Sequence, residues 1–195
     1  MKLYYSPGAC SLAAHIALAE SGAAYETVQV DIRNKLLPDG SDFRSVTPKA
    51  YVPVLATDDA GVITEAPAVL SYLADKFDVG PGAAGADKYA MIGWLGFVGT
   101  EIHKQFVPLF WNGSDDAKAA AREKLGERFA LTVELMEGAD WLVGGKPSVA
   151  DNYLFTVLRW AQGLKIPLPA ELEAYQARNL ERASVQKALA DEGLA

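Results

Sequence analysis

The sequence predicts two parts of different class: a small α/β module in the order β-α-β-loop-β-β-α, then an all-helical domain. Three observations carry this. Short runs of strand character are confined to the first 64 residues. The uncharged, flexible stretch Gly80-Pro81-Gly82-Ala83-Ala84-Gly85-Ala86 divides the chain. Beyond it the apolar residues recur with helical period and nothing alternates convincingly as a strand does. The expected division is 1–78 for the α/β module, 79–86 for the linker and 87–195 for the helical domain.

Lys2–Tyr5 is a β-type run that stops at the breaker Ser6-Pro7-Gly8. Leu12, Ile16 and Ala19 then have helical spacing, and Gly22 closes that helix. Tyr25–Asp31 alternates and predicts a second strand. Arg33–Ser45, with Pro38-Asp39-Gly40, reads as a mobile loop holding at most one helical turn. Val54–Thr57 and Val62–Thr64 flank Asp58-Asp59-Ala60-Gly61, a turn of hairpin length and composition. Glu65-Ala66-Pro67 opens a helix through Phe77, with proline where its missing N–H costs nothing. Helices are expected over about 87–110, 115–138, 149–163 and 170–182, with a short one near Ser184–Glu192.

With 195 residues, half of them apolar and 22% charged, the chain can bury a substantial core. Its 18 Lys plus Arg against 25 Asp plus Glu leave −7, a field that repels nucleic acid and anionic lipid. The longest uncharged stretch of the apolar middle, Tyr89–Thr100, has 12 residues, short of the roughly 20 that span a bilayer. Lys2, the apolar Ala9–Ala19 and the triplet Ala17-Leu18-Ala19 imitate a secretory signal, but Pro7-Gly8 and His15 interrupt it. A single cysteine forms no internal disulfide, which favours a reducing compartment.

That cysteine, Cys10, stands where the first turn enters the first helix, and the helix dipole there lowers a thiol pKa. A lone cysteine is also commonly a small buried hydrophobe. The chain reads Cys10-Ser11-Leu12-Ala13, without the second cysteine of a dithiol redox motif, so any thiol chemistry takes its second sulfur from outside. Val52-Pro53 leaves residue 52 extended, with a backbone able to pair with a peptide-like ligand at a sheet edge, or it is an ordinary trans bond. Glu65 and the N–H groups around Ala66 suit a zwitterionic amino-acid end, or form a solvated first turn. Gly93, Gly96 and Gly99 recur every three residues in a helical run, which predicts close packing of another element. His103-Lys104 would favour anions in a cleft. His15, about 140° round the helix from Cys10, reads as structural. Ser148-Val149-Ala150-Asp151 has the form of a helix-start box.

Lys2-Leu3-Tyr4-Tyr5-Ser6-Pro7-Gly8-Ala9-Cys10-Ser11-Leu12, Val52-Pro53-Val54-Leu55, Thr64-Glu65, Trp94-Leu95, His103-Lys104, the Ser148–Asp151 box and Glu192-Gly193-Leu194 together resemble the bacterial beta-class glutathione transferases over nearly the whole chain. The resemblance implies a thioredoxin-like N-terminal domain that binds glutathione, an all-helical C-terminal domain lining an electrophile pocket, a cytoplasmic location and a homodimer. It implies Cys10 nearest the glutathione sulfur, with Ser11 and Tyr5 beside it. Lys35 would meet the glycine carboxylate, Val52 with a cis Pro53 the cysteinyl amide, and Glu65 with Ala66 the γ-glutamyl end. His103 and Lys104 would approach the cleft, and Trp160 would form pocket wall. Glutathione is then a co-substrate, and no metal is implied.

The chain departs from the pattern at Gly96, where Asn is common, at Ala66, where Gly or Ser is common, and at Ala50, where Gly is usual. A lost amide side chain removes a hydrogen bond worth about 0.5–1.5 kcal/mol. The implied activity is conjugation of glutathione to hydrophobic electrophiles, with thiol–disulfide exchange or peroxide reduction through Cys10. Its rivals are a glutathione-binding stress or ligand-binding protein with little turnover, a dedicated peroxidase or disulfide reductase, and a reductive dehalogenase.

Overall fold

The computed structural model describes residues 1–82 and 85–195, so Ala83 and Ala84, in the middle of the expected linker, lie outside the described residues. β1 (Lys2–Tyr5) pairs in parallel with β2 (Glu26–Gln29), joined by α1 (Ser11–Ser21). β3 (Val54–Thr57) runs antiparallel to β1 and turns back into β4 (Gly61–Thr64), giving the sheet order β2-β1-β3-β4. α2 (Ala66–Phe77) follows. This is the thioredoxin-like βαβ-ββα arrangement expected. The second strand is shorter than the alternation at Tyr25–Asp31 suggested. The chain after it folds into bridges of Leu36 with Asp31 and Asp42 and a single 3-10 turn, Phe43–Ser45.

The helical part contains α3 (Gly85–Phe97), a short α4 (Val107–Phe110), α5 (Asp115–Met136), α6 (Val149–Gly163), α7 (Ala170–Leu180) and α8 (Ala183–Asp191). The expected continuous helix over 87–110 is not formed. After Phe97 the chain widens into a π turn, Val98–Ile102, and tightens into a 3-10 turn, His103–Phe106. Pro108 withholds a backbone donor just beyond, and the Thr100 hydroxyl donates to the Gly96 carbonyl at 3.0 Å, so the regular ladder is interrupted from both sides. Wide turns of this kind re-aim side chains, here those of His103 and Lys104.

Leu3, Leu55 and Leu70 of the N-terminal part and Met91, Phe129 and Leu158 of the helical part are all fully buried in one continuous core. α1 is buried nearly all round because its opposite face, Leu12 and Ile16, packs on Phe155 of α6 and Val185, Ala188 and Leu189 of α8. The capping box at the start of α6 is present and wholly buried. Asp151 accepts from the Ser148 N–H at 2.8 Å and hydroxyl at 2.7 Å, from the Leu142 N–H at 3.0 Å and from the Tyr175 hydroxyl at 2.9 Å. Of the glycines at 93, 96 and 99, only Gly99 has close neighbours, the Tyr153 hydroxyl and Pro67. At Gly93 and Gly96 an added Cβ would meet nothing within 4 Å. The packing expected of all three is therefore found at one.

Candidate active site

The turn Ser6–Ala9 delivers the chain from β1 to Cys10, and groups far away in sequence hold it. The Trp160 indole N–H of α6 donates to the Gly8 carbonyl at 2.7 Å, and the Gly8 N–H donates to Glu192 Oε2 at 2.8 Å. Glu192 Oε1 meets His15 Nδ1 at 2.9 Å inside the protein. Glu192 can reach back because Gly193, at φ 69°, closes α8. The Leu194 N–H bonds Leu189 and the Gly193 N–H bonds Ala190, the double bond that ends a helix on a left-handed residue. His15 is structural, as its position predicted. Its second nitrogen has no hydrogen-bond partner and lies 3.6 Å from an Asp191 oxygen.

Cys10 is the N-cap residue of α1, and its Sγ donates to the Val52 carbonyl at 3.1 Å. The Val52–Pro53 bond is cis. Residue 52 is not on a sheet edge as the sequence suggested. It precedes β3, an interior strand, and faces the helix entrance across which Cys10 lies. The expected depression of the Cys10 thiol pKa is overturned. The residue keeps partial exposure, yet its sulfur is surrounded by protein, and burial pushes the thiol up to about 12 despite the backbone N–H groups of Cys10 and Ser11. Glu65 adds to the rise and Lys104 opposes it. Ser11 does not present its hydroxyl to the sulfur. That group is buried, accepting from the Ser6 N–H at 3.1 Å and donating to the Ser6 carbonyl at 3.3 Å. Tyr5 also faces the closing tail. Its ring packs 5.7 Å from His15, and burial, with Glu192 and Asp191, raises its phenol.

Glu65 stands at the entrance of α2 with φ 71° and ψ 126°, a left-handed conformation that costs a non-glycine residue of order 1–3 kcal/mol. Its exposed carboxylate accepts from Lys49 Nζ at 2.7 Å, and the same ammonium reaches the Thr64 hydroxyl at 3.1 Å. Ala66 is buried directly behind it. Lys35, also left-handed at φ 62°, donates to the Ala50 carbonyl at 3.0 Å and lies 4.7 Å over the Tyr51 ring. Burial lowers its pKa.

From the helical part, His103 Nδ1 and the Tyr153 hydroxyl share a hydrogen bond at 2.6 Å, and the His103 ring meets Trp160 edge-on at 4.8 Å. Burial, helped by Lys104, lowers the His103 pKa to about 4, so its imidazole is neutral at pH 7. Burial and the nearby Cys10 and Glu65 raise the Tyr153 phenol. Phe106 and Phe110 extend the cluster, 5.3 and 5.4 Å from Trp160. Lys104 is exposed beside it. Tyr153 was missed by sequence reasoning, although it lies seven residues before Trp160 and hence on the same helix face. A cavity of about 560 Å³ under the 31–38 loop, reaching Ser6 and Arg33, contains none of Cys10, Val52 or Glu65. Among the described residues no group of three or more His, Cys, Asp and Glu could hold a metal, and no helix is long and apolar enough to cross a membrane.

Residues 8–76 match the family model of the glutathione S-transferase N-terminal domain, and residues 86–179 that of the C-terminal domain. The chain belongs to the glutathione S-transferase family. It is 41% identical over 200 residues to glutathione S-transferase GstA of Escherichia coli O157:H7, with both chains fully covered. Two solved structures cover all of this transferase and are themselves fully covered. One is a sphingomonad glutathione S-transferase complexed with glutathione, at 43% identity and a TM-score of 0.93. The other is the beta-class enzyme of Sphingomonas chungbukensis, at 42% and 0.91. The beta-class resemblance read from the motifs and the two-part fold are those of this transferase family. Its helix α1 entrance, cis-proline turn and α2 entrance converge on one face.

Proposed function

We propose that this transferase binds glutathione along the face formed by Lys35, Val52, Pro53, Glu65 and Ala66, and conjugates it to hydrophobic electrophiles held against His103 and Trp160. The observation that carries the reading is the Cys10 thiol placed 3.1 Å from the Val52 carbonyl at a helix entrance beside a cis-proline. A tripeptide lying antiparallel to residue 52 sets its own sulfur next to Cys10. Glu65 already holds a primary ammonium, that of Lys49, as it would the α-ammonium of glutathione. Lys35 takes the far carboxylate, its ammonium turning from the Ala50 carbonyl it bonds at 3.0 Å.

Cys10 serves first as a donor. With its pKa pushed up to about 12 by burial, the free cysteine stays protonated at pH 7 and is a slow nucleophile. Its S–H turns from Val52 to the glutathione sulfur and stabilises that sulfur as thiolate. The thiolate bonds to the electrophilic carbon and the leaving group departs with its electron pair. Neutral His103 and Tyr153 keep the cleft wall uncharged. Thiol–disulfide exchange is the slower second activity: the small thiolate fraction of Cys10 attacks a mixed disulfide at its glutathione sulfur, the other thiol leaves as thiolate and takes up the proton Cys10 gave up, and a second glutathione frees Cys10 by forming oxidised glutathione. Ser11 and Tyr5 support the turn and the core behind it.

The division at 79–86 separates these duties between 1–78 and 87–195. We place the enzyme in the cytoplasm, in detoxification, as a homodimer. Supporting the last, α3 leaves Tyr89 77% and Ile92 42% exposed, with open space over Gly93 and Gly96. Intact mass of protein purified without reductant should show one added glutathione that reduction removes, and an activated aryl halide should be conjugated. Retention on immobilised glutathione without conjugation would instead establish the ligand-binding rival.

A further inference from the structure

We propose that the electrophile cleft selects aromatic substrates that carry a carboxylate or sulfonate, with the ring on the Trp160–Phe110 edge and the anion held by Lys104 and Arg33 at the rim. This deepens the transferase reading and rests on it. Trp160 is tied to the turn before Cys10, so its partly exposed ring and that of Phe110, 5.4 Å away, present an aromatic surface beside that turn. Lys104 follows His103, whose ring touches Trp160, and its charge reaches both Cys10 and His103. Arg33 crosses from the loop after β2 to lie 5.7 Å over Trp111, the residue next to Phe110. Arg33 over Trp111 and Lys104 next to His103 thus flank the aromatic wall, one from each part of the chain.

Neither cation is held in an ion pair. Among the described residues neither Lys104 nor Arg33 has a carboxylate within 4 Å, whereas Lys35 and Lys49 are engaged by Ala50 and Glu65. The acidic groups nearby are already used. Glu65 is paired with Lys49 at 2.7 Å, and Asp31 accepts from the Arg33 and Asn34 N–H groups and the Asn34 side chain. The net charge of −7 does not reverse this, because distant charges are screened within about 8 Å at physiological ionic strength while the rim cations act at contact. In the step itself the glutathione thiolate bonds to the ring carbon, the halide leaves with the bonding pair, and the thiol proton passes to solvent. The anionic substituent takes no part beyond binding.

The test compares kcat/KM for 4-chloro-3,5-dinitrobenzoate with that for its neutral methyl ester, and follows the ratio through variants so that intrinsic reactivity cancels. Arg33→Gln and Lys104→Gln should each lower the anion-to-ester ratio by about two- to fivefold, the worth of an exposed ion pair, and the double variant more. Arg33→Lys should restore the ratio, and 0.5 M salt should erase the preference in the parent chain, roughly as screening demands. A double variant that keeps the parent ratio overturns the proposal. If the ester itself is not conjugated, the transferase reading fails. Binding of 8-anilinonaphthalene-1-sulfonate then decides separately: salt-sensitive binding that weakens in the double variant upholds the anion site, and unchanged binding removes it.

Discussion

Replacing Cys10 by Ala should raise the pKa of bound glutathione by roughly one unit. The Cys10 S–H donates to the Val52 carbonyl at 3.1 Å. That neutral bond contributes about 0.5–1.5 kcal/mol, and a bond to a charged sulfur about 1.5–3. Turning the donor from carbonyl to thiolate therefore gains about 1–1.5 kcal/mol, close to one pKa unit at 1.36 kcal/mol per unit. Conjugation below that pKa should fall about tenfold, while the plateau rate at high pH stays near that of the parent. Cys10→Ser, which keeps a donor on a shorter Cβ–O bond, should fall between. The assay is the ultraviolet absorbance of thiolate in the binary complex, titrated with pH and set beside the pH profile of kcat/KM. An identical titration midpoint in the parent and Cys10→Ala refutes the donor role, and some other group then sets the thiolate.

His103 has its pKa lowered from 6.5 to about 4 by burial, so the unfolded chain takes up this proton at a pH where the folded one does not. Stability should therefore fall as pH drops from about 6.5 to 4, by up to about 3 kcal/mol, and urea midpoints of His103→Gln should lose that acid sensitivity. Asp151→Ala leaves four buried donor contacts unpaired and should lower unfolding free energy by about 3 kcal/mol or more, read by urea denaturation. A loss under 1 kcal/mol contradicts it. Trp160→Phe removes the bond to the Gly8 carbonyl and should speed amide exchange across Ser6–Ala9 and lower kcat more than it changes the melting temperature. Glu192→Ala strips both His15 and the Gly8 N–H of a partner and should cost about 2 kcal/mol or more by the same denaturation assay.

The N-terminal module was legible because its signals are local. Pro7-Gly8 marks the end of β1 and the Asp58–Gly61 turn the β3–β4 hairpin, the alternation overran β2 at both ends, and the Ser148–Asp151 box marked α6 to the residue. The break after Phe97 was not, since the apolar pattern runs on through it and the cause lies in Gly96, Thr100 and Pro108 acting together. Most of the contacts that build the site are also long range: Tyr153 with His103 across fifty residues, Trp160 with Gly8 across 152 and Glu192 with Gly8 across 184. No window of sequence contains them. The one accessible clue was helical phase, which puts Tyr153 and Trp160 seven residues apart on one face.

Cys10 shows why position alone misjudged the chemistry. A helix entrance favours an anion by about 0.3–1 kcal/mol, and up to about 2 in partly buried geometries. The rise of its thiol from 9.0 to about 12 corresponds to about 4 kcal/mol against the thiolate, so desolvation outweighs the dipole. The same burial that silences the free cysteine makes it a fixed donor, with its proton kept and its direction set by Val52. On the proposed reading, a second sulfur arriving as thiolate brings the charge with it and meets an S–H, the α1 entrance and Lys104. Charge is then stabilised on the ligand rather than on the protein. This is the arrangement that conjugation needs, because the nucleophile must leave with the product and the cysteine must stay behind.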